Sequence, residues 1–213
     1  MVRDKSCFHV AILLGVAVFC CLLISTQVKA GSSSKYDWHQ LLAEVEYAEQ
    51  SPVRAQFLAG ICHANVGSLR QALEELQAVA SSENRDEIVT MVEENHQKLQ
   101  VDPHDLLAMN IVAFGELVLN HIDDSIAWFE TITVEDPNNI WPRNLVALLY
   151  GRKNRVDKAM WHLEQALEID PKNEYSHLLL AVGYKEQKQF AAAIYHYLQA
   201  RNAVAELRKY GVQ

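Results

Sequence analysis

The chain has 213 residues, half of them hydrophobic, with 19 basic and 27 acidic side chains and a net charge of −8. The balance is uneven: residues 36–137 carry 4 basic and 19 acidic side chains, net −15, whereas residues 138–213 carry 11 and 7, net +4. An acidic half of that size repels phosphates, so nucleic acid is excluded as a general partner, while the opposed ends favour oppositely charged surfaces.

Residues 1–30 stand apart from the rest. Arg3 and Lys5 precede an apolar run from Cys7 to Ile24, interrupted only by His9 near its start. As a helix this run would extend ~27 Å, close to the ~30 Å hydrocarbon thickness of a bilayer. Val28-Lys29-Ala30 offers small residues at the spacing of a signal-peptidase site. Two expectations follow: an uncleaved membrane anchor with the remainder extracytoplasmic, or a signal peptide removed near Ala30 to leave a secreted or periplasmic chain. Gly31-Ser32-Ser33-Ser34 opens a linker over residues 31–35. Cys7, Cys20 and Cys21 belong to the apolar run, which leaves Cys62 by itself in the remainder and no internal disulfide there. Cys62 lies in an apolar helical pattern and reads as a core residue.

Residues 36–101 read as irregular helical repeats. Tyr36 to Gln50 forms an amphipathic pattern with Trp38, Leu41, Leu42, Val45 and Tyr47 on its apolar face. Pro52 opens a second helix to about Ala64, Gly67 marks a turn, and Ser68 is placed to cap a third helix, Leu69 to Ala80. A further helix, about Asp86 to Leu99, buries Ile88, Met91, Val92 and Leu99. Beyond the apolar run, about ten helices with short loops are expected in one elongated domain.

From residue 102 onward a fixed interval appears. Asp102-Pro103, Asp136-Pro137 and Asp170-Pro171 stand 34 residues apart. Proline ends a helix at or before the residue preceding it, and Asn139 and Asn173 can cap the helix that follows. Each interval holds two helical stretches, in the last unit Glu174 to Gln187 and Gln189 to Ala203. Leu180, Ala181 and Tyr184 share one face of the first, and Ala193, Tyr197 and Ala200 one face of the second. In the preceding unit the equivalents are Val146, Ala147 and Tyr150, then Ala159, Leu163 and Ala166. Small residues recur where two helices approach closely and large ones where the gap must be filled.

These residues resemble the tetratricopeptide repeat family, whose unit is 34 residues long. The units from Ile140 and Glu174 match its small, aromatic and proline positions, except that Ala205 stands where the final proline would be. The unit from Leu106 keeps Ala113 and Pro137 but has Ser125 for alanine and Glu116 for an aromatic. Leu58 to Ala80, with Gly60, Gly67 and Ala72, is similar to a degenerate unit out of phase with the prolines. The resemblance implies an all-α, right-handed superhelix of antiparallel helix pairs, with three units over residues 106–207 and a tail at 208–213.

The resemblance also implies a concave groove lined by the first helix of each unit, which binds a protein or peptide. Carried over position by position, the groove consists of Leu107, Asn110, Phe114, Leu117, Trp141, Asn144, Leu148, Arg152, Tyr175, Leu178, Val182 and Lys185. Of the Lys and Asn set with which some members grip a terminal carboxylate, only Asn110 and Asn144 are echoed; Leu178 stands at the third equivalent position. The groove is covered either by a partner's amphipathic helix or by this chain's own helix from Tyr36 to Gln50. Arg152, Lys153, Arg155 and Lys158 form a basic group at one turn. It is a solvated turn or a docking patch for an acidic partner, anionic headgroups or a second copy's acidic half.

No chemistry of an enzyme is legible. Phosphate-binding glycine loops, a nucleophile elbow and a Cys–His pairing are absent from the sequence. No two of the 9 histidines are separated by three or four residues, and His162 and His196, 34 apart, would be about one helix spacing from each other. The expectation is a non-catalytic interaction scaffold in cell-envelope assembly, with no cofactor and no metal. The alternative is a structural component that self-associates from acidic end to basic end.

Overall fold

The computed structural model describes residues 33–47, 51–80 and 82–209, and every regular element among them is helical. In chain order these are α1 (Trp38–Tyr47), α2 (Pro52–Asn65), α3 (Leu69–Val79), a single 3₁₀ turn (Ser82–Asn84), α4 (Arg85–Val101), α5 (Leu106–Val118), α6 (Ile122–Glu135), α7 (Ile140–Arg152), α8 (Val156–Ile169), α9 (Glu174–Glu186), α10 (Phe190–Gln199) and α11 (Arg201–Lys209). The apolar run Cys7–Ile24 lies outside the described residues. Among the described residues no helix is long and apolar enough to cross a membrane.

The 34-residue interval governs α5 to α10 down to single hydrogen bonds. The N-caps Asp105, Asn139 and Asn173 each accept from a first-turn amide, those of Ala108, Trp141 and Ser176. The first helix of each unit ends in the same left-handed residue: Asn120 at φ 65°, Asn154 at 58° and Lys188 at 61°. Each is followed by an amide reaching back five residues, His121 to Glu116, Arg155 to Tyr150 and Gln189 to Tyr184, at 2.8–2.9 Å. That pair of features reverses the chain within two residues and makes the two helices of a unit antiparallel. The second helices stop at Asp102, Asp136 and Asp170. Proline follows each, and the next cap amide bonds to the aspartate carbonyl at 3.1–3.3 Å.

One continuous core runs between the layers. Phe114 and Phe129 meet edge to face at 4.9 Å inside the first unit. Val146, Ala147, Tyr150, Ala159 and Leu163 fill the second, with Leu180 and Ala181 buried in the third. Val146, Ala147 and Tyr150 face Ala159 and Leu163 as the sequence pattern requires, and Ala166 is fully buried.

α4 ends in phase with α6 and α8 and so occupies a second-helix position. α2 and α3 form a hairpin of the same construction: Gly67 is left-handed at φ 79°, and the Ser68 amide reaches back to His63 at 2.8 Å. Ser68 caps without a side-chain bond, contrary to expectation, because that backbone bond already turns the chain. The stretch expected as one helix to Ala203 is two: α10 ends at Gln199, and α11 starts beyond a bend at Ala200. Residues 48–50, the end of the expected first helix, fall outside the described residues.

Candidate functional site

The face formed by the first helices α5, α7 and α9 is covered over its first two units by the chain's own α2–α3 hairpin. α2 crosses from α4 over α5 to the start of α7. At its beginning the Ser51 hydroxyl bonds Glu87, and Arg54 donates two bonds to Glu94 at 2.9 and 3.0 Å. That guanidinium holds the Glu94 carboxyl below its ordinary range. At its end Asn65 donates to the Asn110 side chain at 2.9 Å and accepts from Asn139 at 3.0 Å. Asn65, Asn110 and Asn139 are all buried, so three amides from three helices satisfy one another in a region closed to water. Gly67 then lies flat on the Trp141 ring, and Leu69 joins Ile140, Trp141 and Ala166 in a small apolar cluster.

The segment before α1 continues the cover. The Ser34 hydroxyl and the Lys35 amide donate to the buried Asp136 carboxylate at 2.5 and 2.8 Å, and the Trp38 indole N–H donates to Ser34 at 2.8 Å. The groove residues therefore divide. Asn110, Phe114, Trp141 and Asn144 are buried, and Leu107, Leu117 and Leu148 are half-buried. Tyr175 and Leu178 are half-buried beside Trp141, with the Tyr175 ring 5.8 Å from the indole. Val182, Lys185 and Arg152 are exposed. Of the two occupants considered for the groove, the chain itself fills its first two units, and the hairpin α2–α3 rather than α1 makes the contacts with Asn110, Asn139 and Trp141.

The basic group does not converge on one patch. Arg152 donates to Asn120 at 2.9 Å, Lys153 pairs with Asp123, and Lys158 sits 5.0 Å over the Tyr150 ring. Arg155 is exposed at the head of α8. Two of the four thus tie one unit to the turn of the unit before it. The Tyr150 hydroxyl is pushed up to about 12 by burial and by donating to Glu130 at 2.6 Å. Cys62 is fully buried and burial pushes its thiol up to about 12, which keeps it protonated at neutral pH. His162 and His196 do not meet. His162 lies 3.6 Å from Glu130, and His196 bonds His177 at 2.8 Å.

An apolar face that the sequence reading did not single out lies on α10, which buries no side chain. Phe190 is 61% and Ile194 60% exposed, with Leu198 53% and Tyr195 56%. The register explains them. A Cβ on Gly115 of α5 would meet Val92 at 2.3 Å and Ile88 at 3.9 Å, both from α4. A Cβ on Gly183 of α9 would meet Met160 at 2.8 Å and Val156 at 3.9 Å, both from α8. Ile88, Ile122, Val156 and Phe190 are 34 residues apart, as are Val92, Ile126, Met160 and Ile194. In the first three layers this pair docks the first helix of the next unit. In the last layer no such helix follows among the described residues. α11 instead returns to α9, where the Asn202 side chain and the Ala203 amide both donate to Glu174 at 2.6 and 2.7 Å. The signal was present in the sequence as the 34-residue recurrence of that pair.

No known protein-family model matches the chain, and no curated protein is similar to it. Among solved structures, a crystal structure of MamA is 15% identical, with 80% of this chain and 89% of that chain covered and a TM-score of 0.48. A MamA double mutant, RS-1 ArsTM, is 16% identical over 79% of this chain and 85% of that one, at 0.46. MamA from residue 41 to its end, from Desulfovibrio magneticus RS-1, is 15% identical over 79% and 86%, also at 0.46.

Proposed function

We propose that the chain is a non-catalytic protein-interaction scaffold of the tetratricopeptide type, and that its docking surface is the open C-terminal end of the stack. The observation that carries this reading is the Phe190–Ile194 pair, the register equivalent of residues buried against the next helix in earlier layers. Exposed apolar area that recurs in a position built to receive a helix favours an amphipathic helix as the occupant. Val182 and Lys185 of the third unit extend the surface beside it, and the exposed cations Lys185, Lys188 and Arg201 suit a helix with acidic flanks. The apolar run Cys7–Ile24 would hold the scaffold at a membrane with the helical stack on the extracytoplasmic side, in cell-envelope assembly; after cleavage near Ala30 the stack would instead be released.

The test compares capture by the intact chain with capture by a Phe190→Ser/Ile194→Ser variant in mild detergent. Both side chains are exposed, so helix content and thermal midpoint stay near those of the parent. A partner retained by the parent and by Trp141→Ala, but lost from the double variant, supports the open end as the docking surface. Retention by the double variant refutes it. The charge asymmetry between the two halves favours one second reading, self-association of acidic to basic ends. Sedimentation at low and high salt decides it, because such contacts weaken as the Debye length shortens and an apolar contact does not. A monomer at low salt eliminates self-association.

A further inference from the structure

A cluster of ligand-type side chains lies away from that surface, at the turn between α5 and α6. Glu116 is in the last turn of α5, His121 immediately precedes α6, and Asp124 is in the first turn of α6. The backbone bond from His121 to Glu116 that closes the left-handed turn also brings their side chains together. His121 Nδ1 lies 2.6 Å from Glu116 Oε2, and one ligand atom from each of Glu116, His121 and Asp124 lies within 4.8 Å of the others. From the far side His96 of α4 presents Nε2 at 3.9 Å from Glu116 Oε1, its ring 5.5 Å from that of Trp128. The sequence gave no warning of this set, because His96 and His121 come from different helices.

The charges at this point lack a permanent counterion. The Glu116 carboxylate is 12% exposed and its ion-pair partners are the two histidines, which carry charge only when protonated. Two neighbouring cations are engaged elsewhere, Arg152 on Asn120 and Lys153 on Asp123. The whole cluster lies in the half of the chain with net charge −15.

We propose that Glu116, His121 and Asp124, with His96 as fourth donor, bind one divalent ion of the zinc class. Two imidazole nitrogens and two carboxylate oxygens suit zinc rather than calcium or magnesium, which favour all-oxygen shells. In a tetrahedral site with bonds of ~2.0–2.1 Å, neighbouring donor atoms are about 3.3 Å apart. Glu116 and His121 would open from 2.6 Å to that distance, and His96 would close from 3.9 Å. The proton now shared by His121 and Glu116 leaves, and the ion takes its place. The bound ion clips α4 to the α5–α6 turn, so its role is to stiffen the first full unit.

The experiment titrates metal-free full-length chain, in mild detergent, with Zn²⁺ by calorimetry and with Co²⁺ by visible absorption. One equivalent is expected, with a cobalt spectrum lacking thiolate charge transfer, which excludes the cysteines as ligands. His121→Ala and Glu116→Gln should each weaken zinc binding by at least ~10-fold, while His104→Ala, at an exposed histidine outside the cluster, leaves it unchanged. Should Glu116→Gln lose helix content, Asp124→Asn at an exposed position gives the same reading. Parent affinity in both His121→Ala and the carboxylate variant, a thiolate band, or no saturable binding would each overturn the proposal.

Discussion

Gly67→Ala tests the covering of the groove most directly. Gly67 is left-handed at φ 79°, and an added Cβ would stand 2.2 Å from Cζ2 of Trp141 and 2.7 Å from Cε2. A residue with a Cβ in that backbone conformation costs ~1–2 kcal/mol. The ring cannot easily retreat: Trp141 is buried, packed with Leu69, Ile140 and Ala166, with Tyr175 at 5.8 Å on another side. Overpacking at such a site adds ~1–3 kcal/mol. The total, ~2–5 kcal/mol, is a large share of an ordinary domain's ~5–15 kcal/mol. The cheaper response is for the hairpin α2–α3 to lift from α5 and α7. Hydrogen exchange followed by peptide should then show faster exchange over residues 52–79 than over 140–169, alongside a lower denaturation midpoint. Trp141→Ala removes the obstacle but not the backbone strain, so the double variant should be less destabilised than the sum of the singles, by ~1–3 kcal/mol. Unchanged exchange over 52–79 and a parental midpoint in Gly67→Ala would refute the contact and the covering it stands for.

Asn65→Ala should cost ~2–5 kcal/mol in chemical denaturation, since it strands the Asn110 oxygen and the Asn139 amide together in a buried site at ~1–3 kcal/mol each. Lys188→Gly should raise stability by ~0.5–1 kcal/mol, because Lys188 holds φ 61° at the turn where glycine is unstrained; a lower thermal midpoint would show that the lysine does more than turn the chain. The pH dependence has a defined sign. Burial depresses His162 below its usual value, outweighing the attraction of Glu130. The unfolded chain therefore binds the proton more readily below about 6.5. The contribution of His162 is complete above that pH and is lost as pH falls through the folded value. Denaturation midpoints of parent and His162→Gln should converge or cross on going from about pH 7.5 to about pH 5.5; parallel curves would refute the shift.

The local chemistry of the repeat was legible residue by residue. The Asp-Pro steps stop each second helix, Asn139 and Asn173 cap the next helix as expected, and the core pattern Val146, Ala147, Tyr150, Ala159, Leu163 is buried where the periodicity puts it. Such features depend on neighbours within a few residues, so the sequence carries them directly. The left-handed turn at Lys188 and the break at Ala200 were not visible, since neither residue type signals its backbone state.

What the sequence by itself determined is the 34-residue helix-pair unit and its phase, because propensity, capping and spacing act within one unit. Which surfaces remain open was decided only by tertiary structure. Asn65 is 45 residues from Asn110 and 74 from Asn139, and no local pattern announces that one hairpin will cross three helices to join them. The same holds at the other end, where Phe190 and Ile194 look like core residues by type and become surface because α11 turns back to Glu174. Burial is a property of the neighbour that arrives, and the arrival of a neighbour is set by the whole chain.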